Sequence, residues 1–265
     1  ARRDRRAGVA DGARPAIAGQ DRYLTPGVAM GTTKVAWGVI GTAKIGLNRV
    51  LPGMKKSPWC DIRAIASRSE DAARKAADAL GIPTAYGSYE ALLADPAIEA
   101  IYNPLPNHLH VPLTLAAARA GKHVLCEKPI ALTAQEACEL RDAAGSVLIA
   151  EAFMVRFHPQ WLRARELVRE GRIGTLRAVQ AFFAYDNPDP ANIRNRAEIG
   201  GGGLYDIGCY PIVAGRWFFE SEPERGIALI ERDPAFRPDR LTSALVDFGG
   251  GRRLDFTVST RLAPH

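Results

Sequence analysis

Four cysteines, at positions 60, 126, 138 and 209, are too few and too scattered to build a disulfide framework or a cysteine zinc site. Their scarcity suits a reducing compartment, and a cytoplasmic location is expected. No window of the 265 residues is both apolar and long enough to cross a bilayer, so no membrane partner is expected. A stripe of basic residues interleaved with aromatics is also missing. The formal charge is +6, but residues 1–29 hold six arginines against three aspartates, so half of the excess lies in that leader. Nucleic acid is therefore not an expected partner, and a modestly basic remainder suits a phosphate-bearing cofactor at least as well.

The leader is rich in Arg, Ala, Gly and Asp and has no periodicity, so residues 1–33 read as a disordered, non-native extension ahead of the first strand. Its arginine pairs match those of a twin-arginine export signal, but the apolar segment that must follow is missing.

What is present begins with an apolar strand over residues 34–40, followed at once by Gly41-Thr42-Ala43-Lys44-Ile45-Gly46. This is the dinucleotide fingerprint with alanine in its middle position. Gly41 permits the tight turn, Ala43 leaves room for a pyrophosphate at the helix N-terminus, and Gly46 lets helix and strand approach closely. The second strand, residues 61–67, ends about 20 residues later, where NAD enzymes place an acid on the ribose hydroxyls. Ser67-Arg68-Ser69 stands there instead. A guanidinium beside two hydroxyls suits a ribose 2′-phosphate, which favours NADP over NAD. The competing reading is that Ser69 caps the next helix and Arg68 is solvated.

Strands and helices go on alternating to about residue 150, which predicts a doubly wound dinucleotide-binding domain over residues 34–150. A fourth strand runs into Asn103-Pro104-Leu105-Pro106-Asn107-His108-Leu109-His110, a rigid loop at the strand's carboxyl end. His108 and His110 have no carboxylate or cysteine at ligand spacing, so a helix-start or cofactor-contact role is preferred over a metal site. The fifth strand, residues 123–126, ends at Glu127-Lys128-Pro129. Pro129 biases Lys128 away from helical geometry, which puts the lysine at the crevice where open parallel sheets bind ligands. A solvated turn is the equally weighted alternative. A sixth strand is expected over residues 146–150.

Beyond residue 150 the pattern changes. Strand-like segments at 176–185, 227–231, 241–248 and 253–260, with no helices between the last three, predict a largely antiparallel sheet in a second domain, residues 151–265. Between the first two lies a glycine run opening a helix on which Asp206 and Tyr210 stand four apart, on one face. A buried acid and a tyrosine aimed at a cleft lysine form a plausible proton-transfer set. Read alone, Asp206 complements a helix dipole and Tyr210 is a core aromatic.

Together these motifs, in this order, resemble the glucose-fructose oxidoreductase/inositol dehydrogenase (Gfo/Idh/MocA) family over residues 34–265. The tyrosine at 210 resembles the branch of NADP-dependent D-xylose and other aldose dehydrogenases and dihydrodiol dehydrogenase. The resemblance implies a Rossmann doubly wound parallel sheet followed by an α+β domain whose open sheet mediates homo-oligomerisation. It implies that Lys128, Tyr210 and Asp206 form the catalytic set, and that Lys128-Pro129 is a cis peptide. Gly41 to Gly46, Ser67, Arg68, Pro106, Asn107, His110, Glu127 and Lys128 would hold NADP, with NAD possible. Arg156, His158, Asp206 and Tyr210 would line the substrate pocket. The implied reaction is hydride transfer at a sugar-type hydroxyl or carbonyl, with Lys128 supplying the charge that lets Tyr210 work near neutral pH. A cyclic diol substrate and a non-catalytic dinucleotide sensor are the alternatives. Family members usually extend further, so the second domain is expected to be incomplete at its C-terminus.

Overall fold

Burial runs through consecutive residues of the first strands, not through every second one. Val39 and Ile40 are both fully buried, as are Ala64, Ile65 and Ala66. Because neighbouring side chains point to opposite faces, a strand buried at every position must be covered on both sides. The computed structural model, which describes residues 33–263, has that arrangement. Six strands form a parallel sheet in the order β3-β2-β1-β4-β5-β6: β1 Val35–Ile40, β2 Cys60–Ala66, β3 Thr84–Tyr86, β4 Ala100–Asn103, β5 His123–Glu127 and β6 Ile149–Ala152. Ile40, Ala64 and Ile101 pack on one face with Leu92 and Ala117. Val39, Ile65 and Tyr102 pack on the other with Leu51, Ala73 and Ala77.

The connecting helices start and stop where local chemistry directs. Residues 46–50 form a wide π-helical turn that continues into the short α1, Leu51–Met54. Helix α2, Glu70–Leu80, is capped by the Ser69 hydroxyl and ends at Gly81 in the left-handed region. The short α3 covers Tyr89–Ala94, and α4, His110–Arg119, follows a single 3₁₀ turn at Asn107–Leu109. A reciprocal capping box of Thr133 and Glu136 opens α5, Ala134–Ala143.

The sixth strand begins three residues later than expected. Gly145 takes a positive φ of 49°, and Val147 N–H closes a turn onto Ala144 O, so residues 144–147 finish the helix exit. Pairing with β5 runs from Ile149 to Ala152, which puts Glu151 on the strand itself.

After α6, Pro159–Arg169, four strands build a second sheet in the order β7-β10-β9-β8. These are β7 Ala178–Ala184, β8 Arg225–Arg232, β9 Asp239–Asp247 and β10 Arg253–Ser259. As the strand spacing implied, β8, β9 and β10 are antiparallel, and β7 joins β10 in parallel. Helix α7, Cys209–Phe219, packs on one face of this sheet through Phe219 against Phe248 and Leu254. Both sheets belong to one unit spanning Lys34–His265. The expected leader up to residue 32 lies outside the described residues.

Candidate active site

Strand order reverses between β1 and β4, the point at which doubly wound sheets bind their ligands. A cleft of about 750 Å³ opens there, between the carboxyl ends of β4 to β6 and the start of α7. The fingerprint lies at its edge. Gly41 has φ +89°, and a Cβ there would stand 2.6 Å from Leu105 Cδ2, so only glycine fits both the turn and the space. A Cβ on Gly46 would meet Tyr102 and Pro104 at 3.4–3.5 Å, the close helix–strand approach expected. Thr42 and Ala43 are partly buried, Lys44 is exposed, and Ile45 lines the cleft.

At the end of β2, Ser69 N–H donates to Ser67 Oγ, and exposed Arg68 lies near the Tyr89 hydroxyl. That hydroxyl lies 3.9 Å from the position of a Cβ on Gly41, so guanidinium and fingerprint are neighbours. The cap and the basic group coexist: Ser69 closes the helix while Arg68 stays free to meet an anion.

The loop after β4 is tied down on both sides. Pro106 precedes the 3₁₀ turn, and Asn107 Nδ2 donates to Gly200 O at 2.7 Å, joining this loop to the glycine run. His110 is 1% exposed, and its ring nitrogens stand 2.7 Å from Pro129 O and 2.6 Å from Leu105 O. Burial pushes the imidazole below its ordinary range, against the pull of those two carbonyls. A neutral imidazole donates from only one ring nitrogen, so His110 is held between the two carbonyls with a hydrogen bond to one of them, bracing the Pro106 and Pro129 loops. His110 opens α4, the helix-start role the sequence allowed, and it also lines the cleft.

Lys128 stands at the strand end as its proline neighbour implied, and the Lys128-Pro129 bond is cis. Its Nζ donates to Asp206 O at 2.6 Å and to Asp206 Oδ1 at 3.0 Å, with both side chains about 15% exposed. Beside it, Glu127 Oε1 accepts the Tyr102 hydroxyl at 2.7 Å. Asp206 carries more than the lysine: its Oδ2 accepts the Tyr185 hydroxyl at 2.6 Å and Arg194 Nε at 2.8 Å. Burial works against the Asp206 carboxylate, yet Lys128 and Arg194 hold it below the usual range. Burial likewise opposes the Lys128 ammonium, but Asp206 holds it above its ordinary value.

Tyr210 stands one turn beyond Asp206, its ring 5.0 Å from Phe153 and 5.8 Å from Phe183. The Lys128 Nζ lies 5.4 Å from the ring centroid. Burial raises the phenol above its usual value, and the lysine only partly offsets this. The expectation that Lys128 brings Tyr210 towards neutrality is therefore corrected. The lysine's charge is largely answered by Asp206, and Tyr210 is held as a proton donor.

The glycine run sets the start of this helix. Asp239 reaches across from β9, accepting Leu204 N–H at 2.7 Å and the Thr242 hydroxyl at 3.1 Å. Gly202, at φ +128°, has Asp239 where a Cβ would stand.

Arg156 and His158 are placed elsewhere. His158 is exposed and accepts Gln160 N–H at the start of α6, while Arg156 lies over the Trp217 ring at 5.8 Å. The cleft wall from that segment is Met154 and Phe157 instead. Tyr185, Arg194 and Glu151 belong to the cleft but carry no spacing signal in the sequence; only tertiary folding brings them to Lys128 and Asp206. Among the described residues no cluster of His, Cys, Asp or Glu fits a metal ion, and no helix is long and apolar enough to cross a membrane.

Comparison with known proteins agrees with this geometry. Residues 35–147 match the model of an oxidoreductase family with an NAD-binding Rossmann fold, and residues 161–265 match the GFO/IDH/MocA C-terminal domain. The chain is 52% identical to an uncharacterised oxidoreductase of Rhizobium meliloti over 86% of its own length and 69% of the relative's. It is 43% identical to the NADP-dependent D-xylose 1-dehydrogenase 2 of Haloferax volcanii, over 81% of its length and 66% of the relative's. The chain thus spans about two thirds of these relatives. A 3-ketoreductase from Actinomadura kijaniata, crystallised with NADP and TDP-benzene, superposes with a TM-score of 0.82 at 33% identity, over 87% of this chain and 71% of that one. With both family models matched, the fingerprint at the switch point and Lys128 at the mouth of β5, the chain belongs to the GFO/IDH/MocA family of oxidoreductases.

Proposed function

We propose that the protein is an NADP-dependent dehydrogenase acting on CH–OH groups of a sugar-type substrate, with its physiological direction open to reduction of the carbonyl. The observation that carries this reading is the meeting of Lys128, Asp206 and Tyr210 in one cleft beside the fingerprint. A dinucleotide sensor has no use for a buried ammonium, carboxylate and phenol within reach of one another.

The fingerprint turn, Arg68 and the Asn107 loop are the groups that would hold NADP, and the fit rests on Gly41 and on the free guanidinium beside Tyr89. When bound, nicotinamide supplies or accepts the hydride. The chain's own residues handle the oxygen. Lys128, oriented by Asp206, has one N–H left after its two bonds and donates it as a hydrogen bond to the substrate oxygen, stabilising negative charge as it develops. Tyr210 Oη gives that oxygen its proton in reduction, and a phenol kept protonated by burial suits that direction. In oxidation the same proton returns to Tyr210. Tyr185 and Arg194 keep Asp206 ionised and aimed at the lysine.

A cyclic diol is the second reading, because the cleft wall of Phe153, Phe157 and Phe183 accepts an apolar ring as readily as a pyranose. The open face of the second sheet, with Ile227 and Leu229 73% and 82% exposed, supports assembly with a second copy. The deciding assay follows absorbance of the reduced cofactor with NADP and NAD in parallel, across aldoses and cyclic diols. Turnover of an aldose with NADP is expected, and Arg68→Asp should shift the preference towards NAD. Turnover with NAD alone would overturn the assignment of Arg68.

A further inference from the structure

The cleft contains a carboxylate that the proposed reaction does not use. Lys128, Asp206 and Arg194 answer one another, Glu127 takes the Tyr102 hydroxyl on the fingerprint side, and Asp186 faces Arg261. Glu151 is different. Its Oε1 accepts Ile130 N–H at 2.9 Å, and among the described residues nothing donates to Oε2. The nearby cations have other occupations: Arg216 pairs with Glu222 at 2.6 Å, Arg156 lies over Trp217, and Lys128 is held by Asp206. Burial pushes the Glu151 carboxyl up, against the Ile130 N–H and the more distant Arg156, Arg216 and Lys128; Cys126 and Cys209 are its other titratable neighbours.

Glu151 is half-buried, and its uncommitted oxygen is still open to solvent, so a hydroxyl entering the cleft can take the place of water there. Glu151 lines the cleft, and its other oxygen anchors the backbone two residues beyond Lys128. A hydroxyl is the donor that fits: it is neutral, small and present in several copies on a polyol. An anionic ligand group would be repelled there.

Resting on the reading of the cleft as a sugar site, we infer that Glu151 accepts a hydrogen bond from a substrate hydroxyl and sets the preference for neutral polyhydroxylated ligands. It is a specificity-determining residue and takes no part in the proton transfer.

The test measures equilibrium binding of an aldopyranose and its monodeoxy analogues to the full chain saturated with NADPH, with which an aldose cannot react, by calorimetry, for the wild type, Glu151→Gln and Glu151→Ala. In the wild type, one deoxy analogue should bind about tenfold more weakly than the parent sugar. In Glu151→Ala that penalty should fall below about twofold, the signature of a direct pair in a double-mutant cycle. Glu151→Gln keeps an acceptor for Ile130 N–H and should give an intermediate penalty, which guards against a loss of loop structure. If Glu151→Ala weakened the parent and every analogue equally, the residue would only brace the loop and the inference would fail. It would fail too if NADPH affinity changed and sugar binding did not, or if no pyranose bound the wild type. Sugar binding with the expected pattern but no turnover would leave Glu151 assigned and overturn the proposed reaction alone.

Discussion

At the scale of single residues, the cleft is governed by a competition between burial and charge. Lys128 and Asp206 each resist burial only because the other is present. Lys128 is raised, so its contribution to stability is complete below its ordinary value of 10.5 and is lost as pH rises through the higher folded one. Asp206 is lowered, so its contribution is complete above 3.8 and is lost as pH falls through the depressed value. Between those limits the pair is indifferent to pH. Asp206→Asn leaves the largely buried Lys128 poorly answered, with the partly exposed Arg194 beside it, and should cost about 3 kcal/mol near neutral pH, read by denaturant titration. Its deficit against the wild type should shrink as pH falls below 3.8, where the carboxylate of the unfolded chain takes up a proton that the folded one still resists. Tyr210→Phe removes the proposed proton donor but little volume. Carbonyl reduction should fall at least about 100-fold with NADPH affinity unchanged, and near-normal turnover would exclude Tyr210 from the chemistry.

Among the elements, the helix bearing Asp206 and Tyr210 is the one most constrained from outside. Its first turn is wide, and its leading N–H at Leu204 is answered by Asp239 from another strand instead of by a local cap. That contact leaves no room for a side chain at Gly202, and φ +128° is strained for any residue but glycine. Gly202→Ala should therefore destabilise the protein by more than about 2 kcal/mol and lower turnover through displacement of Asp206. A melting temperature within one or two degrees of wild type would show that Asp239 can move aside. Elements on the dinucleotide-binding side have no such dependence. Ser69, Ser88 and Thr133 cap α2, α3 and α5 from their own sequence neighbours.

For the whole molecule, the two sheets differ in how they are covered. The parallel sheet is packed on both faces, whereas β8 is exposed along its whole length and presents Ile227 and Leu229 on one face. A face of that kind favours association. Leu229→Glu should shift the protein to a smaller species in light scattering after size exclusion, without disturbing the cleft on the far side of the helix layer. An unchanged mass would remove this face as the contact between copies.

Most of the parallel sheet was legible from sequence because its determinants are local. Gly81, Ser69, the Thr133–Glu136 box and the apolar runs each act within a few residues, so the places of the strands and the helix ends follow from neighbours along the chain. The fingerprint and the place of Lys128 are of the same kind, since a glycine turn and a following proline bias the backbone on their own. Partnership is different. That Asp206 holds Lys128, that Tyr185 and Arg194 converge on Asp206, and that His110 is held between two carbonyls depend on residues up to 78 positions apart. Arg156 and His158 show the converse: they are close to the cleft in sequence, yet a helix cap and an aromatic face claim them first. The sign of the Tyr210 shift was likewise decided by tertiary structure, because it depends on how far burial outweighs a charge already neutralised by a third residue. Composition and spacing determined which chemical groups the chain carries and which elements bear them; only folding decided which are left free to meet a substrate, because desolvation and pairing exist only once distant side chains share one cleft.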